Sequence, residues 1–511
     1  QKIRKQVHIR IIGDYDVDGV TSSHLFLTAL RRVGAKVDVV IPHRIQDGYG
    51  LSLHLLQQAK EDGVDTILTC DNGIAAIDEI AWAKAQKMTV LVTDHHAVPF
   101  EEHEGRRTEK KSLADAVVNP HQQDCGYPYK ELCGAGVAWN VIRVLYENYD
   151  MDKREAEDLL DFVAMATVCD VMSLTGENRI LVKEGLKRIR HTKNIGLQAL
   201  MQACNVQPEN ISAYHFGYVL GPCVNATGRL DTARHALRLF ETGQETEAEE
   251  IARDLVDLNQ ERKELTLQGV EMAKKLCEEG GYEKDPILVL FLPDVHESIA
   301  GLIAGRIREM YNRPVFVLTR GEEGVKGSGR STENYSMYEN MCGCAELFTK
   351  FGGHPMAAGL SLPEENVEKF RRKINENCPL TVEEVCPDIH IDMAMPVGYA
   401  STELVHQFAL LEPFGKDNPS PLFADRNLSI SRMWLIGKNR NVLRMSVLSE
   451  YGQPVPVIFF GDVETLFAYF TEKFGQEEVE NALHGRKNRI LFSMVYTAKI
   501  DFYQGNENLQ L

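Results

Sequence analysis

Ile11-Ile12-Gly13-Asp14-Tyr15-Asp16-Val17-Asp18-Gly19 carries a strand-like apolar run straight into three carboxylates. Three other stretches behave alike: Ile67-Leu68-Thr69-Cys70-Asp71-Asn72-Gly73, Val90-Leu91-Val92-Thr93-Asp94-His95-His96 and Val168-Cys169-Asp170. Strands of a parallel sheet are covered on both faces and read as near-continuous apolar runs, and open α/β sheets bind ligands at the carboxyl ends of their strands. The four stretches therefore predict a doubly wound parallel sheet with acidic and imidazole groups along one edge. Carboxylates so crowded repel one another and lose hydration, which divalent cations between them relieve. Alternate residues of an extended segment point the same way, so Asp14, Asp16 and Asp18 are expected to share a direction up to the turn at Gly19. A simpler reading has each Asp capping the helix after its strand; four such motifs together favour a metal site. Oxygen-rich ligation with one or two imidazoles suits Mn²⁺ or Mg²⁺ and leaves Zn²⁺ or Fe²⁺ open. Two ions sharing a carboxylate make a phosphoryl-transfer site.

The motifs beginning at Asp14, Asp71, Asp94 and Asp170 resemble those of the DHH phosphoesterase superfamily. Phe351 to Leu360 (FGGHPMAAGL) is similar to the signature of its DHHA1 companion domain. Within the superfamily the likeness is to the RecJ exonucleases and extends over nearly the whole chain. It runs through Arg44 to Leu51 (RIQDGYGL), Asn225 to Leu230 (NATGRL), Lys326 to Ser331 (KGSGRS) and Leu411 to Pro419 (LEPFGKDNP). The resemblance implies that Asp16, Asp18, Asp71, His95 and Asp170 ligate two Mn²⁺ or Mg²⁺ ions, with Asp71 as bridge and catalytic centre. Asp14 and His96 bind metal directly or orient a ligand from behind. It implies that His354 contacts the scissile phosphate, to stabilise the oxyanion or to assist the leaving group. Two glycines precede His354 and permit close approach of a substrate backbone.

Ser328 and Arg330 sit among small residues that read as a phosphate-capturing loop, since arginine makes paired, charge-assisted bonds to phosphate. Arg44 and Arg229 are expected to converge on the same terminal 5′-phosphate. From Arg426 to Ser449 the chain has no acidic residue and carries Arg432, Trp434, Lys438 and Arg440. Cations interleaved with an aromatic suit a single strand whose phosphates meet charge while its bases stack; a solvated strand face has the same pattern. Arg106, Arg107, Lys110 and Lys111 are expected to form a surface loop.

Organisation follows composition. Residues 1–244 alternate short strands (37–42) with helices (51–62) and later become more helical, forming an α/β catalytic domain whose Asn225-to-Leu230 segment packs back toward the metal edge. Residues 245–283 are expected to form a long connecting helix ended by Gly280-Gly281. An α/β DHHA1 domain follows over 284–387, with strands at Ile287 to Leu292 and Pro314 to Leu318 around a helix from Glu297 to Tyr311. β-rich runs at Leu443 to Leu448 and Val455 to Phe460 place an OB-like barrel over 388–511, a fold that often binds single strands.

The chain has 511 residues, 44% of them hydrophobic, enough for several cores. Without an eighteen-residue apolar run or an opening signal peptide, it is expected to be cytoplasmic, with no membrane association. It begins with Gln1 and is expected to be a fragment or trimmed chain. Eleven cysteines without a CxxC pair fit reduced thiols. The net charge of −18 runs against the basic footprint usual for nucleic-acid binding. Metal-binding carboxylates and acidic helices such as Glu245 to Glu250 account for part of it.

The expected activity is metal-dependent 5′→3′ hydrolysis of single-stranded DNA in repair and recombination, by a monomer working with a single-strand-binding protein or a helicase. The alternatives are a DHH/DHHA1 oligonucleotide or cyclic-dinucleotide phosphodiesterase and a non-catalytic replication scaffold. Inorganic pyrophosphatase leaves the C-terminal half unexplained.

Overall fold

The computed structural model describes every residue except 44–46, 48–49, 104–105, 231, 322–323, 381–388, 438–439 and 504–505. The chain divides into two compact units, 1–387 and 388–511.

The first unit opens with β1 (His8–Ile12), β2 (Lys36–Val40), β3 (Thr66–Cys70) and β4 (Thr89–Thr93). An antiparallel hairpin, β5 (Phe100–His103) and β6 (Arg106–Glu109), precedes β7 (Ala116–Val118). The main sheet has the order β2-β1-β3-β4-β7 with every pair parallel. Side chains alternate across it. Ile11 and Leu68 enter a core with Val20 and Phe26 of the helix Val17–Arg32 and with Val137 and Ile142 of the helix Gly134–Glu147. Ile12 and Ile67 face the other way, against Leu55 and Leu56 of the helix Leu53–Glu61 and Ile80 of the helix Ile77–Ala85. Strand order reverses at β1, so the carboxyl ends of β1 and β3 border a crevice, where such sheets bind ligands.

Val168-Cys169-Asp170 differs from its reading as a strand end: the helix Leu160–Cys169 ends there, with Asp170 at its C-cap. That helix is buried from Leu160 through Thr167 and, apart from Asp161 and Thr167, its buried stretch is apolar, so it lacks the polar stripe that separates helix from strand. The basic pair Arg106 and Arg107 lies in β6 and not in a loop.

The connecting helix spans Glu245–Gly280, 36 residues and about 54 Å long. Gly281 ends it at φ +68°, a left-handed C-terminal conformation that favours glycine. Its first half buries Ile251 and Leu255 in the core around the parallel sheet, and its second half buries Val270 and Ala273 in the next lobe. That lobe contains β8 (Leu288–Phe291), β9 (Val315–Gly321), β10 (Gly324–Arg330), β11 (Lys350–Gly353) and β12 (Ala357–Leu362), in the order β11-β12-β10-β9-β8. The helix Ala300–Tyr311 packs on it through Ile303 and Ile307.

In the second unit β13 (Met393–Ala394), β14 (Phe423–Ile436), β15 (Val442–Leu448) and β16 (Pro454–Phe459) are consecutive in one sheet, and β17 (Leu491–Tyr496) also pairs with β14. β18 (Lys499–Tyr503) and β19 (Asn506–Gln510) form a hairpin, and Ile458 N–H donates to Leu511 C=O just beyond it. Met433, Met445, Val457 and Phe470 fill the interior.

Candidate metal centre and substrate-facing residues

Asp14 lies two residues beyond β1, Asp71 directly follows β3, and Asp94, His95 and His96 directly follow β4. Asp16 and Asp18 do not extend β1. Asp16 is the N-cap of the helix Val17–Arg32 and accepts from Gly19 N–H, while Asp18 lies in that helix's first turn. The strand ends at Ile12 because the capping geometry turns the chain into a helix within four residues. The simpler reading, Asp as helix cap, thus holds for Asp16.

The side chains nevertheless converge. Ligand atoms lie within 4.8 Å of one another in three groups: Asp14, Asp16 and Asp71; Asp71, His95 and His96; and Asp18, His95 and Asp170. Asp71 belongs to two of them. His95 Nε2 lies 3.1 Å from Asp71 Oδ1, 3.5 Å from Asp170 Oδ2 and 3.6 Å from Asp18 Oδ2. Asp71 Oδ1 and His95 Nε2 are buried with no well-formed hydrogen bond among the described residues. Such atoms are costly to bury unless something else binds them. Burial, and then the charges of Asp18, Asp16, Asp170 and Asp14, push the Asp71 carboxyl well above the usual range. Burial holds His95 below the ordinary imidazole value, the neutral form that a metal requires. This donor set fits divalent cations.

Three supports were not assigned from sequence. Asp94 accepts from the N–H of Ile74 (2.9 Å), His95 (2.7 Å) and His96 (3.1 Å), and its Oδ1 lies 2.7 Å from His96 Nδ1. Burial opposes charge on His96, but that hydrogen bond and the Asp94 charge outweigh it and push its imidazole up to about 9. At the second support, Gly134 N–H and Ala135 N–H, the first amides of their helix, donate to Asp18 Oδ2 (2.6 Å) and Oδ1 (2.8 Å). A helix N-terminus stabilises a carboxylate. The third is Asn225, whose Oδ1 accepts from Val17 N–H at 3.1 Å between Asp16 and Asp18. The Asn225-to-Leu230 segment lies in the helix Gly221–Leu230, and a side chain at Gly228 would stand 2.6 Å from Tyr15 C=O.

Arg229 Nη1 donates to Ser298 C=O of the second lobe at 2.6 Å. Lys326 to Arg330 is not a loop but lies within β10, paired with β9 and β12. Gly329 is small because a side chain would lie 2.5 Å from Met337 and 2.8 Å from Phe316. The sheet takes up these amides, which overturns the expected backbone cradle for phosphate. Ser328 and Arg330 share one face of β10, and both reach within 2.8 Å of where a side chain at Gly301 would stand. A cavity of about 440 Å³ opens beside them, lined by Tyr15, Ser298, Lys326, Ser328, Lys350 and Gly352 among others. His354 lies exposed in the turn between β11 and β12, its N–H donating to Ala357 C=O at 2.8 Å.

In the second unit, Arg432 and Trp434 lie on β14, and Trp434 pairs directly with Arg444 of β15. The guanidinium carbons of Arg432 and Arg444 each lie 5.5 Å from the half-buried Trp434 ring, within cation–π range. Arg440 is exposed in the β14–β15 turn at φ +53°. The expectations for Arg44 and Lys438 fall outside the described residues.

The description DHH family, N-terminal domain, matches residues 8–167, the DHHA1 domain matches 284–378, and the RecJ OB domain matches 391–511. A protein of Haemophilus influenzae named single-stranded-DNA-specific exonuclease RecJ is 35% identical, over 88% of this chain and 79% of its own length. The chain belongs to the RecJ family. A Bacillus subtilis RecJ is 34% identical over 89% of this chain, which spans 56% of that protein's length. RecJ of Thermus thermophilus, solved in complex with Mn²⁺, superposes with a TM-score of 0.79 at 26% identity, covering 100% of this chain and 69% of that one.

Proposed function

We propose that the chain is a metal-dependent exonuclease that degrades single-stranded DNA from its 5′ end. The observation that carries this is Asp71, buried and shared by two ligand groups at a strand-order reversal, in a chain whose relatives are named for this activity. Asp14, Asp16, Asp18, Asp71, His95 and Asp170 would hold two Mn²⁺ or Mg²⁺ ions. When bound, such ions acidify a coordinated water for in-line attack on phosphorus and neutralise charge on the phosphate oxygens. Asp94 accepts from His95 N–H and holds His96 beside the cluster, and the Gly134 helix holds Asp18, a supporting shell of the kind metal sites need.

Ser328 and Arg330, with Arg229 and Arg44, would grip a terminal 5′-phosphate. His354 would meet the scissile phosphate from its exposed turn. Arg432, Trp434, Lys438 and Arg440 would bind a single strand through its phosphates and bases. A monomer acting in cytoplasmic repair and recombination beside a single-strand-binding protein or a helicase is the cellular form of this proposal. Its domains would be 1–244, 245–283, 284–387 and 388–511.

The experiment is to incubate the protein and Mn²⁺ with 5′- or 3′-labelled single strands, duplexes and cyclic dinucleotides. Release of mononucleotides from the 5′ ends of single strands supports the proposal. Preferential cleavage of cyclic dinucleotides points to the phosphodiesterase reading, and no cleavage points to the scaffold.

A further inference from the structure

Cys204 caps the C-terminus of the helix Ile195–Ala203, and Cys223 lies in the first turn of the helix Gly221–Leu230. Their sulfur atoms are 3.8 Å apart. Cys223 is buried and accepts from Asn259 Nδ2 at 3.4 Å, and Arg262 holds the other end of that amide, donating to Asn259 Oδ1 at 2.8 and 3.1 Å. Asn259 and Arg262 belong to the connecting helix, so one amide from that helix reaches the sulfur pair, and Cys223 Sγ also donates to Val219 C=O at 3.2 Å. The mutual contact of the two thiols, with the Asn259 amide, Lys263 and Arg262 acting against burial, holds the Cys223 thiol below its ordinary value, and that contact together with burial pushes the Cys204 thiol up. Cys204 is half-buried, the more open residue of the pair.

We infer that Cys204 and Cys223 form a reversible disulfide when the protein meets a hydroperoxide, and that this lowers activity at the metal centre. The peroxide oxidises Cys223, the more acidic thiol of the pair, to a sulfenic acid and is itself reduced to an alcohol, or to water for hydrogen peroxide. The Cys204 sulfur then attacks the Cys223 sulfur. The S–S bond forms, the S–O bond breaks, and the oxygen leaves as water with the Cys204 proton. Two thiols lose two electrons in all and one peroxide gains them. A thiol pair restores both cysteines by exchange.

The route to the metal centre is short. Asn225, two residues beyond Cys223 in the same helix, holds Val17 N–H between Asp16 and Asp18. The helix is preceded by a π-helical turn, Phe216–Leu220, an irregularity often found at functional sites. Bonding contracts the sulfur separation from 3.8 Å to about 2.05 Å, so each helix yields about 1 Å if they share the movement. Misplacement of that size near reacting groups costs up to about a hundredfold in rate.

The test treats the reduced full chain with hydrogen peroxide, maps disulfides by mass spectrometry, and follows hydrolysis of a single strand before oxidation, after it, and after dithiothreitol. Expected are a Cys204–Cys223 linked peptide, a tenfold or greater loss of turnover reversed by the thiol, and resistance to that loss in Cys204→Ala. A pair that stays reduced while exposed Cys342 oxidises overturns the inference, and so does a linked pair with unchanged turnover. Peptide mapping does not depend on nuclease activity: an inactive reduced protein counts against the proposed function, while the linkage still decides the site.

Discussion

Gly134→Ala places a methyl group where the ligand cluster leaves no space. A Cβ at this position would stand 2.7 Å from Asp71 Cβ, 2.9 Å from Asp71 Oδ1 and 3.0 Å from Asp18 Oδ2. Carbon atoms settle at about 3.5 Å or beyond, so Asp71 would have to retreat by about 0.8 Å. Its backbone resists: Asp71 is already at φ +60°, and its N–H is held by Thr93 C=O at 3.1 Å. Moving the proposed bridging ligand by that distance is expected to lower kcat by about a hundredfold and to weaken Mn²⁺ binding, with little loss of helix. Gly136→Ala is the control, since the nearest atoms to a side chain there belong to Leu132, at 3.3 Å or more, and the change gains up to about 1 kcal/mol of helix propensity. Both variants are assayed by hydrolysis of a labelled single strand over a Mn²⁺ series, with circular dichroism to verify the fold. Parent turnover and parent Mn²⁺ affinity in Gly134→Ala would refute the reasoning.

Arg330→Ala is expected to weaken attack on 5′-phosphorylated strands and erase the parent's preference for them over hydroxyl ends; paired initial rates on the two substrates check it. Trp434→Ala is expected to cost about 1–3 kcal/mol in binding a long single strand if the ring stacks on a base, and removing residues 388–511 should flatten the log–log salt slope by about 0.7 for every phosphate that they neutralise. Equal affinities and slopes would assign the region to another role. Asp161 is buried, which raises its carboxyl to about 6 against a usual 3.8, despite hydrogen bonds from Thr192 and Phe162 N–H. A pKa raised by folding contributes stability that is complete below about 4 and lost as pH rises through 6. Asp161→Asn should therefore recover up to about 3 kcal/mol near pH 8 and little near pH 4, as urea midpoints at the two values would show.

The acidic ends of the strands were legible because β1, β3 and β4 lie inside a doubly covered sheet, so their apolar runs end abruptly just before Asp14, Asp71 and Asp94. Asp170 joins the cluster as its sequence motif suggested, but not in the expected setting: a buried helix and a buried strand are both read as apolar runs. The Gly327 and Gly329 pair misled for a tertiary reason. These glycines make room for Leu318, Leu360, Phe316 and Met337, neighbours that sequence spacing does not disclose. The amides of Gly134 and Ala135 that hold Asp18 carry no side-chain signal at all. Trp434 was singled out as a stacking surface; that Arg444 lies beside it follows from the register of β14 with β15, which sequence spacing does not disclose.

The shared position of Asp71 is tested most directly by counting ions. Mn²⁺ bound to the metal-free chain is measured by calorimetry and by the loss of free-ion paramagnetic resonance, for the parent and for Asp71→Ala, alongside single-strand hydrolysis at saturating Mn²⁺. The account predicts two ions per parent chain, at most one tightly bound ion in the variant, and cleavage abolished in a protein that remains folded. Two tight ions or substantial turnover in Asp71→Ala would contradict it.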